Sequence, residues 1–141
     1  MTRIYWDSML FIYLLEDHPS YADRVQHLLR KIQQRGHTLC TSVFTVGEVL
    51  SGFYKRDALE AAAEVRNWFR QPNIELLAFN SATAARYAQI RAKNTVTPAD
   101  SIHLASAAEA GVQLFITNDR RLTKLNIDQI DFIAGLDVNL Y

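Results

Sequence analysis

The feature that most restricts the fold is an alternation. Short β-branched and aromatic runs are separated along the chain by longer segments with helical spacing. "TRIYW" (Thr2–Trp6), "TLCT", "IELLAF" (Ile74–Phe79), "QLFIT" (Gln113–Thr117) and the weaker "IDFIAG" read as strands, the fourth as a continuous apolar run of the buried kind. Between them, "SYADRVQHLLRKIQQRG" opens on a Ser20/Asp23 capping pattern, spaces Val25, Leu28, Leu29 and Ile32 helically, and stops at Gly36. Val43, Val46, Leu50 and Phe53 mark another helix, and "DALEAAAEVRNWFRQ" a further one before Pro72. "SATAARYAQIRAKN" is Ala-rich and helical. "TPADSIHLASAAEAG" has Thr97 as N-cap, Pro98 at the first helical position and Gly111 at its end. Strands separated by helices pair in parallel and carry helices on both faces. The expected class is α/β, with a mostly parallel central sheet, and ligands are expected beyond the carboxyl ends of its strands.

At 141 residues the chain fits one domain, taken as 1–141. Fifteen Lys plus Arg cancel fifteen Asp plus Glu, so no net field draws the protein to nucleic acid or to a membrane, and a polyanion would have to be held locally. The longest purely apolar run, Met9 to Leu15, is far short of the roughly 20 residues a membrane helix needs. An early Arg3 followed by Asp7 does not match the order of a signal peptide. Cys40 lies in an apolar stretch, where a buried, inert thiol is expected, and a single cysteine suits a reducing cytoplasm.

Four acids stand at places where chemistry is expected: Asp7 and Asp119, each just past a strand, Glu48 in "TVGEVL", and Asp100 near the start of its helix. Each also has an ordinary role. Asp7 and Asp119 suit N-caps of following helices, Glu48 could close a capping box with Thr45, and Asp100 with Thr97. Together they point elsewhere. Two carboxylates about 4 Å apart repel by roughly 4 kcal/mol at an effective dielectric near 20, so a buried set protonates, spreads, or binds a cation. Oxygen donors with no His or Cys set favour Mg²⁺ or Mn²⁺ over zinc. Such ions serve phosphate chemistry. The helix and loop before Asp100 carry Arg86, Arg91 and Lys93, and Arg120, Arg121 and Lys124 follow Asp119. This suits a phosphate backbone, though a solvated helix face explains these charges equally well.

On "IYWDS", "TSVFTVGEVLSG", "TPADSIHLASAAEAGVQLFIT" and "TNDRRL", in this order and at this length, the chain resembles PIN-domain nucleases, most closely the VapC-type toxins of bacterial toxin-antitoxin pairs. The resemblance spans nearly the whole chain and implies a three-layer PIN-like fold. Carried over by position, it places the metal-binding acids at Asp7, Glu48, Asp100 and Asp119, with Thr117 as the hydroxyl beside the last and Asn118 next to it. It further implies cleavage of RNA, often transfer or ribosomal RNA, by Mg²⁺- or Mn²⁺-assisted hydrolysis. A neutralising antitoxin and a homodimer are implied as well. The sequence departs from the pattern at Met9, where many relatives carry a polar residue, often Asn, leaving Ser8 to orient Asp7. It departs again at Arg121, where some relatives have another acid.

His103, three residues after Asp100, reads either as a contact to substrate or as an ordinary structural histidine, the latter being the commoner case. Other functions remain open: a PIN-like module that binds RNA or protein without catalysis, or a housekeeping RNA-processing nuclease. An aspartyl-phosphate phosphatase on "DSM" lacks the second acid two residues on, where Met9 stands.

Overall fold

The computed structural model describes residues 2–140. Its sheet has five strands, β1 (Arg3–Trp6), β2 (Thr38–Ser42), β3 (Ile74–Leu77), β4 (Leu114–Ile116) and β5 (Phe132–Ala134), in the order β3-β2-β1-β4-β5. Every pairing is parallel, so the expected mostly parallel sheet is wholly so. The helices are α1 (Ser8–Leu15), α2 (Ala22–Gln34), α3 (Val43–Lys55), α4 (Leu59–Trp68), α5 (Ser81–Lys93), α6 (Pro98–Ala110) and the short α7 (Arg120–Thr123).

The period of two in the strands divides the core into two layers. Ile4, Trp6, Leu39, Ile74 and Ile116 face the side packed by α1 to α4, with Phe11, Leu28, Ile32 and Phe69. Tyr5, Cys40 and Phe115 face the other side, against Ile90, Leu104, Ala105 and Ala108 of α5 and α6. Small residues on α6 explain how closely it lies on the sheet, for all of Ala105, Ala107 and Ala108 are buried. Cys40 is fully buried and burial pushes its thiol up to about 12, in line with the inert role expected of it.

Helix ends follow the sequence in part. Thr97 accepts a hydrogen bond from the Asp100 backbone N–H at 3.1 Å, Pro98 starts α6, and Gly111 closes it at φ 65°. The caps expected for α2 and α3 fail. Ala22 begins α2 after Tyr21 with no side-chain cap, so the Ser20/Asp23 box does not form. Ser42 caps α3 through Phe44 N–H, while Thr45 turns into the core to meet Thr41 at 2.7 Å, so it makes no box with Glu48. The β2 strand ends directly in this helix, which puts the cap one turn earlier than the Thr45 reading.

The topology decides where a site can form. From β1 the chain moves outward to β2 and β3, then returns to place β4 on the other side of β1. The crevice beyond the carboxyl ends of β1 and β4 is therefore the switch point of the sheet, where such folds bind ligands. No helix among the described residues is long and apolar enough to cross a membrane.

Candidate active site at the sheet edge

Asp7 follows β1 directly, at the N-cap position of α1, but its carboxylate makes no capping bond. Instead the Thr117 hydroxyl, just past β4, donates to Asp7 Oδ2 at 2.6 Å, and the Asp119 backbone N–H donates to the same hydroxyl at 3.1 Å. Side-chain orientation of Asp7 thus comes from Thr117, in place of the expected Ser8. Met9 is 42% exposed on α1 and supplies no polar contact to replace the expected one. The other oxygen, Asp7 Oδ1, is buried with no hydrogen-bond partner. Burial pushes the Asp7 carboxyl up to about 6; the Thr117 bond, His103 and the Leu10 backbone N–H oppose this, and the nearby Asp100 carboxylate adds to it.

The remaining acids are half-buried at the rim rather than sunk in the core. Glu48 Oε1 stands 2.7 Å from His103 Nε2. Asp119 caps α7 through Arg121 N–H and is gripped by the Arg121 side chain, Nε to Oδ1 at 3.1 Å and Nη2 to Oδ2 at 2.8 Å. The Arg121 guanidinium holds the Asp119 carboxyl below the usual carboxylate range. Asp100 and Arg121 line one shallow hollow with Thr97. The expected crowd of four buried carboxylates is therefore corrected. One is buried, two are paired with cationic or hydrogen-bonding side chains, and among the described residues no three His, Cys, Asp or Glu stand close enough together to hold a metal ion.

The donor chemistry nonetheless fits a hard cation. Asp7 Oδ1 is an orphaned, buried carboxylate oxygen with a second carboxylate close enough to raise its proton affinity. All the acids at this edge offer oxygen, the ligand that Mg²⁺ and Mn²⁺ take.

His103 does not face a substrate, as one reading allowed. It is 3% exposed, and both ring nitrogens are engaged inside the protein, Nε2 by Glu48 and Nδ1 by the Tyr5 hydroxyl at 2.7 Å. Nor do the α5 cations gather at the acids. Arg86 pairs with Glu109, which lies nine residues beyond Asp100 on α6, or about 14 Å along the helix. Arg86 and Lys93 line a separate hollow with Asn126 and Asp128, and Arg91 is exposed on the same helix. Arg120 is better placed. With Tyr21, Lys124, Thr117 and Asn118 it lines a groove of about 710 Å³ that opens beside the Asp7–Thr117 pair. Asn118 is anchored there by a bond from Nδ2 to the Tyr13 hydroxyl at 3.1 Å. Sequence reasoning missed Tyr5 and Thr45, whose only signals were polar atoms on residues at apolar-looking positions.

A wholly parallel sheet with one buried carboxylate, Asp7, at its switch point and the acids Glu48, Asp100 and Asp119 half-buried at the rim around it defines the class as an α/β protein with an acidic sheet edge. The PIN domain matches residues 4–127, and the chain belongs to the PIN domain family, whose nucleases its motifs resemble. Solved structures agree in fold. VapBC2 from Rickettsia felis, bound to a promoter DNA fragment, superposes with TM-score 0.77 at 15% identity, covering 95% of this chain and 98% of that one. DNA-bound VapBC from Salmonella typhimurium gives TM-score 0.75 at 23% identity, covering 96% and 99%. VapC20 of Mycobacterium tuberculosis, described as a sarcin-ricin loop cleaving toxin, gives 0.71 at 12% identity, covering 90% and 98%. No curated protein matches.

Proposed function

We propose that this chain is a VapC-like endoribonuclease that uses Mg²⁺ or Mn²⁺, held by Asp7 with Asp100, Glu48 and Asp119. The observation that carries the reading is Asp7 Oδ1, buried, unpartnered and beside another carboxylate, at the switch point of a PIN-domain sheet. The bound ion would activate a water and stabilise charge on the leaving oxygen. The protein's own contribution is positional. Thr117 holds Asp7 through one oxygen and leaves the other free. Arg120 and Lys124 in the adjoining groove neutralise backbone phosphate. RNA is the substrate class, with transfer RNA and the ribosomal sarcin-ricin loop as the first to try.

The complexes from Rickettsia and Salmonella support an antitoxin partner for this chain. A homodimer and a cytoplasmic setting complete the proposal.

The test is incubation of the purified protein with end-labelled RNA and Mn²⁺, with and without chelator, beside Asp7→Asn and Asp100→Ala. Fragments that require metal and vanish in both folded variants are expected. Equal cleavage by the variants defeats the assignment. The Glu48–His103 hydrogen bond and the Asp119–Arg121 ion pair, which occupy two of the acids, favour a second reading, a module that binds RNA without cutting it. Binding without metal-dependent fragments would select that one.

A further inference from the structure

We propose that Tyr5 and His103 form a buried positioning relay for Glu48, in which the Tyr5 hydroxyl fixes Nδ1 of His103 as an acceptor so that Nε2–H is presented to Glu48 Oε1. This rests on the metal-dependent reading above, because the relay leaves Oε2 as the Glu48 oxygen open to a cation.

The hydrogen inventory supplies the direction. The Thr41 hydroxyl donates to the Trp6 carbonyl at 2.7 Å, which uses its one hydrogen. Thr41 Oγ1 must then accept from Thr45, 2.7 Å away, and that uses the Thr45 hydrogen. Thr45 therefore has none left for His103 Nδ1, from which it stands 3.5 Å. The Tyr5 oxygen accepts from the Ser42 backbone N–H at 3.2 Å and also has the Thr41 and Thr45 hydroxyls beside it, their hydrogens already placed; the relay assigns the Tyr5 hydrogen to Nδ1, 2.7 Å away. With Nδ1 accepting, the ring carries its proton on Nε2, opposite a carboxylate that can only accept. Burial raises the Tyr5 pKa, so the phenol keeps the proton it donates.

Packing holds the geometry. The Tyr5 ring stacks on Phe115 with centroids 5.0 Å apart and planes 8° from parallel, and Phe44 packs on His103 at 5.6 Å. The strand and α6 thus reach across the crevice to fix an acid on α3. The device repeats the one on Asp7, where Thr117 pins one carboxylate oxygen and leaves the other unpaired. Such partners of metal-binding side chains commonly affect metal affinity by about 10–100-fold.

The experiment is Mn²⁺ titration by calorimetry, without RNA, of wild type, His103→Leu, His103→Gln and Tyr5→Phe, with melting curves to confirm folding. Nitrogen-15 spectra of the wild-type histidines report the tautomer. Expected are an Nε2–H, Nδ1-acceptor signature for His103, a loss of Mn²⁺ affinity of about 10–100-fold in His103→Leu, and a smaller loss in Tyr5→Phe. His103→Gln, whose amide can still donate near the Nε2 position, should recover most of the affinity. An Nδ1–H signature, or equal Mn²⁺ affinity in wild type and His103→Leu, overturns the relay while leaving the nuclease reading intact. Wild type that binds no Mn²⁺ overturns both. Should His103→Leu fail to fold, Tyr5→Phe carries the comparison: weaker Mn²⁺ binding supports the relay and unchanged binding overturns it.

Discussion

Asp7 gives the residue scale its clearest test. Its carboxyl is raised by burial to about 6 against an unfolded value of 3.8, so the folded state binds its proton more tightly than the unfolded state does. The sign follows: stability contributed by this group is present below pH 4 and is lost as pH rises toward 6. At pH 7 the ionised carboxylate costs the metal-free fold about 3 kcal/mol. Asp7→Asn removes the charge and keeps an acceptor for Thr117, so it should stabilise the metal-free protein at pH 7 by about 1–3 kcal/mol, with the gain shrinking toward pH 4. Urea denaturation at the two pH values checks this. On the proposed function, the same substitution should abolish metal-dependent cleavage, the pattern of stability given up for function. In wild type at limiting Mn²⁺, cleavage should fall as pH drops below about 6, because the proton competes for Asp7. Added metal should move that fall to lower pH. At Asp119 the direction reverses. The exposed Arg121 holds its pKa down, so Arg121→Ala should return it toward the ordinary range in a carbon-13 titration, with little effect on melting.

At the scale of elements, α6 joins structure to site. Its N-cap bond from Asp100 N–H to Thr97 Oγ1 fixes the first turn and thereby the root of the Asp100 side chain. Asp100 is capped through its backbone, which leaves its carboxylate available, so the structural and functional readings of this acid are compatible. Thr97→Ala should cost about 1 kcal/mol in stability, and should weaken Mn²⁺ binding without removing it, measured by denaturation and calorimetry on the same sample. Most elements were legible from periodicity. Val25, Leu28 and Ile32 are the buried stripe of α2, and the β1 alternation sends Ile4 and Trp6 one way and Tyr5 the other. Caps were less legible. Ser20, Asp23 and Thr45 have the right chemistry, but the chain enters α2 at Tyr21 and α3 at Ser42, and these starts depend on tertiary packing.

At the scale of the molecule, the sheet order brings residues more than 100 positions apart into contact, as between Thr117 and Asp7. A cation that binds only the folded chain stabilises it by mass action, about 2.7 kcal/mol at a hundred times its dissociation constant. Mn²⁺ at that excess should raise the melting temperature of wild type and leave that of Asp7→Asn unchanged. A shift of equal size in both would place the metal elsewhere.

By itself the sequence determined the α/β class, the helical stripes, the motif order of the PIN family and which acids stand past strand ends, because these depend on local periodicity and on residue chemistry. It could not decide how each acid is neutralised. That His103 turns inward to Glu48, that Arg121 takes Asp119, and that Arg86 goes to Glu109 instead of the crevice depend on distances across the fold. Only the tertiary structure decided them, because a carboxylate takes whichever cation or donor the packing of distant elements brings within hydrogen-bond reach.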